Sequence, residues 1–221
     1  MVEPRAVGCP AALWRVGRAS SVTQFSGIDP ISASVPHAGN RFDVPGGEVL
    51  YAATEPDGAY AETVARYRPS AKMRVLDMDG DGHLMNVGSV PTEWRLNRVL
   101  AELSLNGALP FLDVEATTTH SWLSEKMAVP LAAAGISNLD VSHVRGPDRL
   151  LTRSIAALAY VTLDDNGDPA FSGIRYMSRL GNHECWAIFD GTVVQLEDRI
   201  AISKNDDALL RVARDFGLTI H

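Results

Sequence analysis

Glu62 has the sequence surroundings best suited to chemistry. Gly58, Ala59, Glu62 and Ala65 recur at three- and four-residue spacing and so share one helix face, which leaves Glu62 as the only long side chain on a surface of small residues. A reactant can approach such a carboxylate closely, and a carboxylate beside a sugar stabilises the positive charge that develops when a glycosidic bond breaks. Arginines stand in or beside short β-prone segments, Arg15 in Leu13-Trp14-Arg15-Val16 and Arg41 in Asn40-Arg41-Phe42-Asp43. Guanidinium groups supply the bidentate, charge-assisted donors that phosphate oxygens favour. Tyr51 and Ser178 lie in comparable segments and could hold a bound sugar in a reactive geometry.

Metal chemistry finds less support. Asp77-Met78-Asp79-Gly80-Asp81-Gly82 reproduces the first half of a calcium-binding loop, but the twelfth position, which should be a bidentate Glu, is Gly88. Asp and Gly explain the stretch as an acidic turn. His37, His83, His120, His143, His183 and His221 show no ligand spacing, so no metal site is expected. Nucleophile-elbow, Walker A and dinucleotide-fold glycine signatures are all missing, which removes three common enzyme classes.

The 221 residues, 46% of them hydrophobic, suffice for one packed core. A net charge of −7 repels nucleic acid and anionic membrane unless positive charge is gathered locally, so direct nucleic-acid binding is not expected. Cys9 and Cys185 form neither a CxxC pair nor a disulfide framework, which fits a reducing cytoplasm. Neither a secretion signal nor a run of about 18 apolar residues is found, so no membrane contact is expected.

These residues need elements to position them. Residues 13–16 and 49–53 read as strands, separated by a long loop, 17–44, of the kind that more often binds than spaces. Thr54 opens a capping box for a helix over 55–67. Residues 73–79 read as a strand, 93–103 as a helix opened by Thr92, and 120–135 as a helix interrupted at Pro130 and stopped by Gly135. Asp148 caps an apolar helix; 173–178 and 185–191 are strand-like. Asp206 caps a terminal helix with a stripe of Leu209, Leu210, Val212, Ala213 and Phe216. Helices and strands mix without regular alternation, which favours an α+β domain over a doubly wound sheet.

In chain order, the segments around Arg15, Arg41, Tyr51, Glu62 and Ser178 resemble the RES domain family, named for its arginine, glutamate and serine. The resemblance runs from about residue 13 to 200 and is strongest in RFD-x-PGG-x-VLYAATEPDGAYAET and in GIRYMSR followed by CWAIFD. It implies residues 1–12 as an N-terminal extension and 13–221 as one α+β domain, a mixed β-sheet core with surrounding helices, related to the ADP-ribosyltransferase fold. The implied activity is cleavage of the nicotinamide–ribose bond of NAD+, by hydrolysis or phosphorolysis, by the toxin of a toxin–antitoxin pair. Its rivals are a mono-ADP-ribosyltransferase acting on protein and a silent binding domain on the same fold.

By carry-over the catalytic residues are Glu62, Arg41, Tyr51 and Ser178, and the dinucleotide is held by Arg15, Arg41, Tyr51 and Tyr176. NAD+ is the substrate, inorganic phosphate a co-substrate in the phosphorolytic version, and no further cofactor is implied. The expected partner is a separately encoded helix-turn-helix antitoxin; a homodimer stays open. Plainer readings stand beside these. Arg15 also fits a structural cation tying down the long loop, Arg41 a surface ion pair, and Tyr51 a core residue with its hydroxyl satisfied. Glu62 also fits a solvated helix-face charge, and Ser178 a strand-end hydrogen-bonding residue. Arg175 and Arg179 fall on the strand face opposite Ser178 and read as structural.

Overall fold

Strands form where β-prone residues place side chains alternately on two faces. In the computed structural model, which describes residues 2–78 and 87–221, they are β1 Ala6–Val7, β2 Leu13–Arg18, β3 Ser26–Gly27, β4 Glu48–Ala53, β5 Ser89–Val90, β6 Arg98–Asn106, β7 Phe111–Asp113, β8 Gly173–Met177, β9 Glu184–Phe189, β10 Val193–Ala201 and β11 Thr219–Ile220. The helices are α1 Pro56–Val64, α2 Ala71–Met78, α3 Thr92–Leu96, α4 Thr117–Lys126, α5 Ala128–Ala133, α6 Val141–Val144, α7 Arg149–Val161 and α8 Asp207–Phe216. The large sheet runs β1-β7-β8-β9-β4-β2-β6-β10, with β3 added beside β4; β7 and β8 are parallel and the other neighbours antiparallel. A separate parallel pair joins β11 to β5. The fold is a single α+β domain, and β1, within the first twelve residues, is hydrogen-bonded into its sheet.

One sheet face is covered by helices. Ile155 and Ala156 of α7, Leu209 and Val212 of α8, and Tyr60 and Val64 of α1 are buried in a core shared with Ile174 and Ala187. The opposite face buries Leu13, Leu50, Leu103 and Ile188 under Val22, which the long loop contributes. Caps end the helices as the side-chain chemistry dictates: Asp148 accepts from the Leu150 and Leu151 amides, and Asp206 from Leu209.

Between β2 and β4 the sheet opens. Their ladder holds only the pair Trp14–Ala53, after which β3 takes the place beside β4 with Ser26 opposite Val49. Backbone groups released by such a split need other partners. Arg15 supplies one, its Nη1 donating to the Tyr51 carbonyl at 2.6 Å. Gly58 has a packing role nearby: a Cβ there would lie 2.9 Å from the Cβ atoms of both Ala53 and His183. Its absence lets α1 settle against the end of β4 and the turn that follows β8.

Several elements differ from the sequence reading. Residues 71–78 form α2 rather than a strand; of the calcium-loop resemblance, residues 79–86 lie outside the described residues. The helix expected over 93–103 stops at Leu96, and Arg98–Asn106 is a strand pairing with β2 and β10. Thr54 does not cap α1, whose N-cap is Glu55; its hydroxyl donates to Glu184 at 2.6 Å and accepts from the Trp186 indole at 2.9 Å. The interruption expected at Pro130 falls at Met127, and Pro130 sits in the first turn of α5, where a missing N–H costs nothing. Leu210 is exposed, and Ala208 completes the buried stripe of α8.

Candidate functional site

The split between β2 and β4 is the mouth of a cleft of about 640 Å³. The small-residue face of α1 lines it through Gly58, Ala59 and Glu62, continued by Ala65 just past its end, with Tyr51 from β4 and Tyr176 from β8. Glu62 is exposed to this space. Its Oε1 accepts from the hydroxyl of Ser178, 2.5 Å away and itself buried. Ser178 is held in turn, its amide donating to the His183 carbonyl at 2.8 Å and its oxygen accepting from the Leu180 amide at 3.0 Å. The serine therefore fixes one carboxylate oxygen and leaves the other open to the cleft.

Five arginines border the same space, Arg15, Arg41, Arg66, Arg149 and Arg179, with Glu62 as the carboxylate among them. Gathering this much positive charge in a chain of net charge −7 makes an anion-attracting recess. Arg149 donates to the carbonyls of His37 at 2.8 Å and Ala38 at 3.4 Å, stapling the loop that leads to Arg41. Arg41 donates to the Val144 carbonyl at 2.6 Å and to Met177 at 3.4 Å, and its guanidinium lies 5.2 Å from the ring centres of both Phe42 and Tyr176. Burial lowers its pKa, the Tyr176 side chain opposing that shift.

The hydroxyl of Tyr51 is already committed. It donates to the buried Asp43 carboxylate at 2.7 Å and accepts from the Phe42 amide at 3.2 Å. Burial first, and then the Asp43 charge, push the phenol well above its ordinary pKa, so it stays protonated. Asp43 also accepts from the Asn40 amide at 2.6 Å, tying the segment that carries Arg41 to the Tyr51 ring. A ligand therefore meets the aromatic surface of Tyr51 rather than a free hydroxyl. Tyr176 is likewise buried, packed against Phe42 with ring centres 4.8 Å apart.

The cleft thus brings together Arg15, Arg41, Tyr51, Glu62, Tyr176 and Ser178. Asp43, Arg66 and Arg149 belong with them, although the sequence reading assigns none of the three a role. Arg179 is a correction: it borders the cleft instead of lying on a face opposite Ser178, because strand alternation does not extend past Met177, where β8 ends. The four-residue step from Glu62 to Arg66 on a helix is the sequence signal for Arg66.

A second recess of about 560 Å³ lies by β1 and is bordered by Cys9, Asp113, Arg175, Glu184 and Trp186. Here the charges satisfy one another: Arg175 meets Asp113 at 3.1 Å and Glu184 at 2.7 Å, and Arg5 approaches Asp113 at 3.4 Å. Burial would raise Glu184, but the Thr54 hydroxyl and Arg175 outweigh it and hold the carboxyl below its ordinary value. That stabilisation is present above the ordinary carboxylate range and is lost as the pH falls through the lowered one. Cys9 is pushed up to about 11 by burial, followed by the Glu184 charge, so its thiol stays protonated and inert. This recess is a structural ion network. Arg175→Ala is expected to cost about 2–3 kcal/mol of stability by leaving two carboxylates short of donors. Chemical denaturation measures the loss, and the activity of the folded variant stays at the wild-type level.

Among the described residues no group of three or more His, Cys, Asp or Glu side chains could hold a metal ion, and no helix is long and apolar enough to cross a membrane. Comparison with curated proteins gives no match. The family model described as the RES domain matches residues 12–209, a span that contains every cleft residue named above. With that match over most of its 221 residues, the chain belongs to the RES domain family.

Proposed function

We propose that the chain is an NAD+-consuming enzyme that breaks the nicotinamide–ribose bond and passes the ADP-ribosyl group to water or inorganic phosphate. The observation that carries this reading is the Ser178-anchored carboxylate of Glu62 facing a cleft bordered by five arginines. The pyrophosphate lies toward the guanidinium groups and the nicotinamide ribose beside Glu62. As the glycosidic bond breaks, its electron pair moves to the ring nitrogen and neutralises the nicotinamide, which leaves without acid assistance. Positive charge then sits on the ribose as an oxocarbenium ion, and the free oxygen of Glu62 stabilises it. Phosphate adds to the anomeric carbon, or water does so and releases its extra proton to solvent.

Tyr51 offers its ring to the nicotinamide or ribose, since its hydroxyl is bound to Asp43. In the cell the enzyme is a cytoplasmic toxin, and its partner a helix-turn-helix antitoxin that blocks the cleft. Product analysis tests the activity. Purified protein incubated with NAD+ releases nicotinamide, with ADP-ribose as the co-product in phosphate-free buffer or its 1″-phosphate when phosphate is the acceptor. Absence of nicotinamide release in both buffers refutes the proposal, and release that requires an added protein which becomes labelled identifies a transferase instead.

A further inference from the structure

Four of the five cleft arginines are engaged by the protein itself. Arg15 holds the Tyr51 carbonyl, Arg149 the loop carbonyls, Arg41 those of Met177 and Val144, and Arg66 the hydroxyl of Tyr67 at 2.7 Å. Arg179 is the exception. It is exposed, and among the described residues its guanidinium has no acceptor and no carboxylate partner. The backbone beneath it is nevertheless fixed. Ser178 is tied to His183 and Leu180, and Asn182 adopts a left-handed φ of 57° with its side chain accepting from Arg145 at 3.1 Å.

Arg41 reaches the same place from the other side, through the Met177 carbonyl two residues before Arg179, and its Nε is buried without an acceptor. The Arg179 charge lies near enough to weigh against protonation of Arg41. Arg41 and Arg179 border one cleft; Glu62 and Glu115 partly offset the charge of Arg41, but among the described residues neither guanidinium is in an ion pair, which favours an anion as their common partner.

We propose that Arg179 and Arg41 together take up one phosphate group of the ligand, with Arg41 as the fixed half of the clamp and Arg179 as the half that closes from solvent. The ligand class is a phosphate ester or pyrophosphate, and the assignment to a dinucleotide rests on the enzymatic reading above. Arg41 is already immobilised and loses little freedom on binding, whereas Arg179 must be ordered, so Arg179 sets how tightly the phosphate is retained.

The test is calorimetric titration of inorganic pyrophosphate into the wild type and into Arg179→Ala, Arg179→Lys and Arg179→Glu, with Arg199→Ala on β10 as a control that does not line the cleft. An exposed side chain without a protein acceptor leaves the unfolding midpoint unchanged when replaced, which checks that each variant is folded. The expected result is pyrophosphate binding by the wild type, weakened roughly tenfold or more in Arg179→Ala. Arg179→Lys recovers part of the loss, Arg179→Glu loses binding altogether, and Arg199→Ala binds as the wild type does. Wild-type affinity in Arg179→Ala, or no binding of millimolar pyrophosphate by the wild type, overturns the clamp. Cleavage of NAD+ alongside either of those results leaves the enzymatic reading standing. Arg179-dependent pyrophosphate binding without cleavage supports the clamp and removes the enzyme.

Discussion

Glu62→Gln is expected to lower NAD+ turnover by roughly 100-fold or more while leaving the unfolding midpoint where it is. Glutamine keeps the length of the side chain and an oxygen to accept from Ser178, so the 2.5 Å contact has a near-isosteric replacement. What it lacks is the negative charge that the oxocarbenium needs. Because Glu62 is exposed to the cleft and its protein partner is Ser178, its replacement removes no core packing. The loss should therefore fall on kcat, with KM for NAD+ nearly constant, since the charge acts on the transition state more than on the bound ground state. Initial rates of nicotinamide release across a range of NAD+ concentrations check both parts. A variant that turns over NAD+ at close to the wild-type rate would remove Glu62 from the chemistry.

The parts of the fold that are legible in the sequence are those in which local pattern and tertiary role agree. α7 places Leu151, Ile155, Ala156 and Ala159 on one buried stripe behind a capping aspartate, and β4, β8 and β9 are short β-prone runs punctuated by turns. The failures come where two patterns coexist. Leu100 and Leu103 sit three apart, as on a helix, yet both are buried in a strand because β2 and β10 flank it. The short apolar run at 73–78 suits either element, and its helix begins two residues earlier than the run itself. β10 carries apolar residues such as Val194 and Leu196, but its Glu197-Asp198-Arg199 run breaks the alternation, and the strand is set by pairing with β6.

The site is legible in a different way. Glu62 stands out because the residues around it on α1 are small, a property of the local sequence. The commitments of the other groups depend on folded geometry. The Tyr51 hydroxyl donates a hydrogen bond to Asp43 in the preceding loop, Arg15 bridges a split in the sheet that only strand order creates, and Arg41 grips carbonyls contributed by residues more than a hundred positions away. Residue type marks which side chains suit a phosphate, and the fold sets which guanidinium groups are engaged by the protein and which are not.

Arg41→Ala should raise KM for NAD+ and lower kcat/KM by about 2–4 kcal/mol, the scale of charge-assisted hydrogen bonds removed from a partly desolvated pocket. The structure adds a second cost. Arg41 joins the Asn40–Asp43 segment to the end of β8 and to α6 through the Met177 and Val144 carbonyls, so alanine also loosens that corner and lowers stability. Arg41→Lys separates the two effects. An ammonium can satisfy one of the carbonyls and keeps the positive charge, but it cannot reproduce the planar fork or the guanidinium contact with the rings of Phe42 and Tyr176. Lysine should therefore restore much of the stability and only part of the NAD+ affinity. Denaturation midpoints and separate kcat and KM values for the two variants distinguish a ligand contact from a backbone staple. Wild-type KM in both variants, with stability alone reduced, would make Arg41 a staple and leave the anion in this cleft to other arginines.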